Sequence, residues 1–115
     1  MPFFKTHRGL NWHYSLSAKG EAVVLLHGFG ASGRFWQAQV EFLQKDYQVL
    51  VFDLPGHGQS EWMALTLAEI AQDIHEILEA CGILKCSLVA SSMGGLVALQ
   101  LYRFLPSSIL RISLV

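Results

Sequence analysis

Residues 88–95, Leu-Val-Ala-Ser-Ser-Met-Gly-Gly, run from a short apolar segment into a segment with helical periodicity. A serine in a sharp turn between a strand and a helix is held with its hydroxyl exposed above the sheet. The tightness of such a turn requires small residues two positions before and two positions after the serine. Ser92 meets this requirement with Ala90 and Gly94, whereas Ser91 would place a valine and a methionine there. The spacing therefore predicts that Ser92 occupies the turn and is a candidate nucleophile.

The segments on both sides of this turn alternate between strand and helix patterns. Short apolar runs, typical of strands buried on both faces, lie at 22–26, 48–52 and 86–90. A last strand is expected at 109–115, where it would form an uncovered, apolar edge of the sheet. Between them, apolar residues recur with helical spacing at 33–45, 67–81 and 94–104. Strands that alternate with helices are usually parallel, with helices on both faces of their sheet. We therefore predict an α/β fold, a three-layer αβα sandwich with a mostly parallel sheet. It begins with a two-stranded hairpin and ends after about the sixth strand.

Polar and glycine positions predict where the helices begin and end. Ser32 precedes the first helix, and Gly82 follows the last turn of the second. Thr66 and Glu69 have the capping-box spacing. The first helix is expected to turn four apolar side chains toward the sheet, Phe35, Trp36, Val40 and Leu43. Because no linker separates these elements, residues 1–115 are expected to form the N-terminal portion of a single domain.

Composition restricts the classes of function. The 115 residues are 52% apolar and 15% charged, with a mean hydropathy of +0.38 and a formal net charge of -1. The basic residues are scattered, so no nucleic-acid partner is expected. The longest apolar stretch is broken by serines and glycines, and the N-terminus lacks the apolar region of a signal peptide, so no membrane segment is expected. Cys81 and Cys86 lack a surrounding ligand cluster, which predicts reduced thiols, a cytoplasmic protein and no metal site.

The predicted turn also offers two donors to an oxyanion. Ser92 would precede a helix, where backbone N–H groups and the helix dipole favour developing negative charge. The N–H of Met93 is one expected donor, and the N–H of Phe29, in the glycine-rich loop after the first parallel strand, is the other. Five residues are expected to support this arrangement: His27, Gly28, Gly30, Ala90 and Gly94.

Three motifs in this order resemble the α/β-hydrolase superfamily. They are His-Gly-Phe-Gly at 27–30, Asp-Leu-Pro-Gly-His-Gly-Gln-Ser at 53–60, and Ser-Ser-Met-Gly-Gly at 91–95. Within that superfamily the chain is most similar to small cytosolic serine esterases, C–C bond hydrolases and acyl-ester hydrolases. The resemblance implies a Ser–His–acid triad and neither a metal nor an organic cofactor. It predicts a serine hydrolase that cleaves small carboxylic esters or similarly activated acyl substrates through an acyl-enzyme.

Two features depart from the family pattern. Ala90 stands where the family usually has glycine, which is a small change. The family's acid and histidine follow the nucleophile in the chain, yet residues 93–115 contain no Asp, Glu or His. The chain is therefore expected to supply nucleophile and oxyanion hole without the usual acid and base. The resemblance implies that His27, His57 and Asp53 shape their loops, and either histidine acting as a base stays an alternative.

Two other functions are compatible with the sequence. The chain can be an inactive fragment, or a non-catalytic binding module on a hydrolase scaffold. Residues 28–33 also fit G-x-G-x-x-G, and Asp53 lies 20 residues after Gly33, a pattern typical of dinucleotide-binding oxidoreductases. That interpretation gives no role to the Ser92 turn. An aspartate in place of Ser92 would instead have indicated a dehalogenase or an epoxide hydrolase.

Overall fold

The structure, a computed structural model, describes residues 2–115 as one six-stranded sheet with helices on both faces. The strands are β1 (Phe3–Lys5), β2 (Asn11–Ser17), β3 (Ala22–Leu26), β4 (Gln48–Phe52), β5 (Cys86–Ala90) and β6 (Ile109–Leu114). The helices are α1 (Gln37–Leu43), α2 (Leu67–Ala80) and α3 (Met93–Phe104), and a 3₁₀ turn at Gly33–Trp36 precedes α1. The strand order across the sheet is β1-β2-β4-β3-β5-β6.

The sheet is parallel over its four central and C-terminal strands. β3 pairs in parallel with β4 on one side and with β5 on the other, and β6 continues the parallel part beyond β5. Only β2 runs in the opposite direction, because it is antiparallel to both of its neighbours, β1 and β4. The parallel strands are connected by helical crossovers, as the alternating pattern requires. The predicted α/β fold with a mostly parallel sheet is confirmed.

Alternate residues of β3 and β4 face two separate apolar clusters. The larger cluster lies between the sheet and helices α2 and α3, and the residues that β3 and β4 contribute to it are Ala22, Val24, Leu26, Leu50 and Phe52. The smaller cluster lies on the α1 side and consists of Val23, Leu25, Trp36, Val49 and Val51. Successive side chains of a strand point to opposite faces. The continuous apolar runs therefore fill both clusters, which makes the three-layer sandwich.

Both ends of α2 follow from the sequence. The Thr66 hydroxyl accepts a hydrogen bond from the Glu69 N–H at 3.1 Å, and the Glu69 carboxylate accepts one from the Thr66 N–H at 2.9 Å. This reciprocal pair satisfies two donors that the first helical turn leaves unpaired. At the other end Gly82 adopts φ 72°, a left-handed conformation that favours glycine after a helix. The predicted boundaries of this helix are confirmed.

The first helix differs from its prediction. Ser32 caps the 3₁₀ turn by accepting a hydrogen bond from the Arg34 N–H at 3.3 Å, and α1 begins only at Gln37. A 3₁₀ turn has 3.0 residues per turn rather than 3.6, so its side chains point in different directions from those of an α-helix. Trp36 is buried as expected, but Phe35 is 53% exposed and the expectation that it faces the sheet is wrong.

The prediction that β5 is buried on both faces is wrong for one face. Ser87 and Val89 of β5 are only half-buried, and most of β6 is exposed. On that face the apolar cluster is formed by residues of β3 and β4 with Trp36, and Val89 of β5 is only partly buried against it. Apolar composition alone does not show which strand of a sheet a helix covers.

The N-terminal turn of α3 packs directly on the end of β3. A Cβ atom on Gly94 would lie 2.3 Å from the carbonyl oxygen of Leu26 and 2.7 Å from that of His27. Both atoms belong to the backbone and have little freedom to move. A Cβ on the next residue, Gly95, would meet only the flexible end of Leu114, at 3.4 Å. The helix therefore reaches its position only because residue 94 has no side chain.

We expect Gly94→Ala to lower the free energy of unfolding by about 3 kcal/mol, since overpacking against fixed atoms forces the backbone apart. Gly95→Ala is the matched control. It places alanine where there is room, and alanine favours a helix over glycine by up to about 1 kcal/mol. Chemical denaturation of the natively produced protein measures both. Equal stability of the two variants would contradict the packing described above.

Candidate active site

Ser92 occupies the turn between β5 and α3. Its backbone has φ 53° and ψ -118°, and with Ala18 it is one of two non-glycine residues among 2–115 with positive φ. Such a conformation costs about 1 to 3 kcal/mol and persists only where the surrounding structure enforces it. The side chain is exposed and does not cap the helix that it precedes. The Ser92 hydroxyl is therefore held out from the protein.

Backbone contacts with the end of β3 enforce this conformation. The Ser91 N–H donates to the Leu26 carbonyl at 3.1 Å, and the Gly94 N–H donates to the Ser91 carbonyl at 2.9 Å. The loop that follows β3 lies against the serine, because a Cβ on Gly28 would be 3.0 Å from the Ser92 Cβ and 3.7 Å from its Oγ. Gly28 is therefore needed for this close approach. The spacing of small residues was the signal that located the turn.

The two backbone donors expected for an oxyanion lie at this turn and in this loop. Among residues 2–115, neither the N–H of Phe29 nor that of Met93 donates a hydrogen bond. Met93 is the first residue of α3, where the helix dipole adds partial positive charge. Phe29 lies directly after Gly28, and its side chain is 80% exposed. Both N–H groups are free to bind an acceptor.

Two histidines flank this loop and use all four of their ring nitrogens on the backbone. His27 is fully buried, with Nδ1 2.7 Å from the Gly28 carbonyl oxygen and Nε2 2.9 Å from the Leu54 N–H nitrogen. Burial lowers the pKa of His27, an effect that the hydrogen bond to Gly28 partly opposes. His57 has Nδ1 3.0 Å from the Pro55 carbonyl oxygen and Nε2 3.0 Å from the Gly30 N–H nitrogen. Neither ring has a nitrogen free to act as a base on Ser92 in this arrangement.

Asp53, at the end of β4, connects two loops and strand β2. One carboxylate oxygen accepts from the Gly33 N–H at 2.7 Å, and the other accepts from the Gln59 N–H at 3.0 Å and contacts His13 Nδ1 at 2.8 Å. Burial alone would raise the pKa of Asp53, but these three hydrogen bonds together hold it below its usual value. Gly58 has no room for a side chain beside this carboxylate. Asp53 is a bracing residue.

Sequence reasoning missed two members of this network. His13 lies on β2, and its backbone N–H donates to the Ser60 hydroxyl at 2.7 Å. The Ser60 hydroxyl in turn donates to the Asp53 backbone carbonyl. His13 and Asp53 are 40 positions apart and meet because β2 pairs with β4. No local pattern marks such a pair, although Ser60 was part of the motif at 53–60.

The remaining features of the described residues add no further catalytic group. An open groove of about 1210 Å³ lies beside α1, and Ser92 is not among its lining residues. Trp62 lies beside Gly56, and its side chain is 74% exposed. Residues 2–115 contain no cluster of three or more His, Cys, Asp or Glu side chains that could ligate a metal. None of the helices described is long and apolar enough to cross a bilayer.

The sequence model for the alpha/beta hydrolase fold matches residues 21–115. The chain belongs to the α/β-hydrolase fold family. Among curated proteins, one named carbamate hydrolase RutD from Variovorax paradoxus (strain S110) is 37% identical over 109 residues. That alignment covers 90% of this chain and 41% of the relative. The resemblance drawn from the three sequence motifs is thereby confirmed.

Solved structures similar to this chain have the same fold and include enzymes named for different reactions. A thermophilic esterase from Thermogutta terrifontis has a TM-score of 0.90 at 28% identity, covering 98% of this chain and 44% of that one. An epoxide hydrolase from Vigna radiata has a TM-score of 0.91 at 25% identity, covering 98% of this chain and 37% of that one. This α/β-hydrolase chain therefore spans less than half the length of these relatives. The fold is shared by enzymes with different chemistry, so the reaction has to be argued from the site.

We expect Ser92→Gly to be more stable than Ser92→Ala by about 1 kcal/mol. Alanine keeps the Cβ that makes the positive φ unfavourable, whereas glycine removes it, and the entropy of glycine in the unfolded chain offsets part of the gain. Thermal and chemical unfolding measure the difference. Ser91→Gly and Ser91→Ala form the matched control pair, in which the alanine variant should be the more stable. The same order at both positions would argue against strain at Ser92.

We expect the Asp53 network to make stability depend on acid pH. The pKa of Asp53 is lowered in the folded state, so its contribution is complete above the unfolded-state pKa of about 4 and is lost as pH falls through the folded-state value. Asp53→Asn should cost about 3 kcal/mol at pH 7, since buried donors lose a charged acceptor. Its stability should also fall less steeply than that of the native protein below pH 4. Asp46→Asn, at an exposed position, is the control, and parallel pH curves for native protein and Asp53→Asn would contradict this role.

Proposed function

We propose that Ser92 is the nucleophile of a serine hydrolase that cleaves small carboxylic esters or similarly activated acyl compounds. The observation that carries this proposal is the exposed Ser92 hydroxyl at a strained turn, at the N-terminus of α3 and against the loop of Gly28. Backbone strain of this kind costs stability and is concentrated at functional sites. A serine needed only to cap a helix would not require positive φ, and this side chain caps nothing.

The proposed reaction has two steps with balanced chemistry. Ser92 Oγ bonds to the carbonyl carbon, its proton passes to a general base, and the carbonyl electron pair moves to oxygen. The N–H groups of Phe29 and Met93 bind that oxyanion until it collapses and the leaving group departs with the proton. Water then repeats the attack on the acyl-enzyme and restores Ser92. An ester and a carbamate both present an acyl carbon with a heteroatom leaving group, consistent with the names of the relatives.

We propose that the general base and the carboxylate that orients it lie outside these 115 residues. His27 and His57 are occupied by the backbone, and His13 contacts Asp53. His75 lies on α2, with its ring 3.5 Å from Glu79. Serine is a weak nucleophile unless a base takes its proton. We therefore propose that a histidine, oriented by a carboxylate, completes the site in the whole protein, and that the substrate is a small molecule.

Because Cys81 and Cys86 are both free thiols, we propose the cytoplasm as the location.

One alternative is favoured by a specific observation. Because no side chain among residues 2–115 is hydrogen-bonded to Ser92 Oγ as a base would be, a non-catalytic binding module on this scaffold is the second candidate. The dinucleotide interpretation has less support. The Asp53 carboxylate, which would have to bind a ribose, already accepts three hydrogen bonds from the protein. A Cβ atom on Gly33 would lie 2.8 Å from Val51 Cγ1 and 3.1 Å from Asp53 Oδ1, so this glycine already lies close to the protein.

Reaction with a fluorophosphonate tests the nucleophile. Intact-mass spectrometry of the natively produced protein should show one adduct, mapped to Ser92 by peptide sequencing, together with hydrolysis of a short-chain aryl ester. Ser92→Ala should lose the adduct and reduce kcat by about 10⁴-fold or more, since the nucleophile is removed. Ser91→Ala is the control and should retain both. An adduct or full activity that persists in Ser92→Ala would overturn the assignment, and a native protein without either would favour the binding module.

A further inference from the structure

The hydrogen bonds of His57 fix its tautomer. Nδ1 lies 3.0 Å from the carbonyl oxygen of Pro55, which can only accept, so Nδ1 carries the proton. Nε2 lies 3.0 Å from the Gly30 nitrogen, whose N–H can only donate, so Nε2 is the acceptor. The two partners are therefore satisfied together only by one neutral form of the ring.

His27 is fixed in the same way on the neighbouring peptide. Its Nδ1 donates to the Gly28 carbonyl at 2.7 Å, while its Nε2 accepts from the Leu54 N–H at 2.9 Å. The Gly28 carbonyl and the Phe29 N–H belong to one planar trans peptide, so they point in opposite directions. The hydrogen bond from His27 therefore orients the Phe29 N–H. Because the Gly28 carbonyl accepts this bond, the whole peptide group is polarised, including its N–H.

His57 holds the other peptide of Phe29. The Gly30 N–H belongs to the peptide plane that follows Phe29, and the His57 ring lies edge-on to the Phe29 ring with centroids 5.5 Å apart. The two histidine rings lie 5.1 Å from each other. The only backbone rotations between the two peptide planes are those at the Phe29 Cα. With both planes and the ring held, the backbone at Phe29 has no remaining freedom to turn its N–H away.

We infer that His57 is a positioning residue that, with His27, fixes the direction of the Phe29 N–H toward the oxyanion. This inference rests on the proposed function, because it assigns a partner to one donor of the proposed oxyanion hole. Preorganised donors stabilise charge only where they are aimed before the reaction begins. Because the oxyanion exists in the transition state and not in the bound substrate, loss of the brace reduces kcat and leaves KM nearly unchanged.

Two substitutions at His57 separate positioning from packing. His57→Phe keeps a ring beside His27 and Phe29 but has no acceptor for the Gly30 N–H. His57→Gln loses the ring but carries an amide oxygen that reaches the position of Nε2. With the natively produced protein and a short-chain aryl ester as substrate, His57→Phe should lower kcat about 10- to 100-fold and change KM by no more than about twofold. This loss is smaller than the about 10²- to 10³-fold loss expected when an oxyanion donor is removed completely. His57→Gln should recover most of that loss. His75→Gln, on α2, is the control and should match the native kcat.

The outcomes distinguish this inference from the proposed function. Native kcat in His57→Phe, with Ser92 still labelled, overturns the inference alone. Equal losses in both His57 variants, or a loss in KM with kcat unchanged, indicate a packing role and also overturn it. Absence of labelling and hydrolysis in the native protein overturns both proposals. If His57→Phe does not fold, the ¹⁵N–¹⁵N scalar coupling between Gly30 N and His57 Nε2 in the native protein decides, since it is present only if the hydrogen bond exists.

Discussion

The carbonyl oxygen of Leu26 leaves no space for a side chain on Gly94, and the rest of the site depends on this contact. The contact brings the first turn of α3 against the end of β3. That approach leaves the chain between β5 and α3 only a tight path, so the residue at its apex takes positive φ. The same approach brings the loop after β3 within contact of Ser92. Close packing of two backbones thus maintains an unfavourable conformation at one exposed residue.

The loops around Ser92 are held by side chains whose polar atoms are already hydrogen-bonded within the protein. Asp53 accepts hydrogen bonds from two loops and contacts β2, while His27 and His57 connect the loop after β3 to the loop after β4. Each of these side chains carries an ionisable group, and each has its polar atoms committed to the protein. Their observed role is to hydrogen-bond these loops, close to the backbone N–H groups of Phe29 and Met93 that remain unpaired. A rigid frame of this kind is what electrostatic stabilisation of a transition state requires.

The scaffold and the reaction are separate properties. This fold is shared with an esterase and with an epoxide hydrolase at similar TM-scores, so the sheet and helices do not choose between them. In the proposed function, the residue at the apex of the turn determines the reaction. A serine there fits acyl transfer and a backbone oxyanion hole, because its hydroxyl forms an ester that water can cleave. The unpaired N–H groups of Phe29 and Met93 agree with that chemistry.

The sequence by itself determined the order of elements, the capping of α2 and the position of Ser92, because these depend on neighbours within a few residues. Small residues at 90 and 94 are sufficient to locate a tight turn. The predictions for Phe35 and for the second face of β5 were wrong, because a 3₁₀ turn directs Phe35 outward and the apolar cluster on the α1 side covers β5 only in part. Only the tertiary structure showed the contact between His13 and Asp53 and the bond from Gly30 to His57. Such pairs join residues 27 to 40 positions apart, and it is strand pairing and loop packing that bring them together.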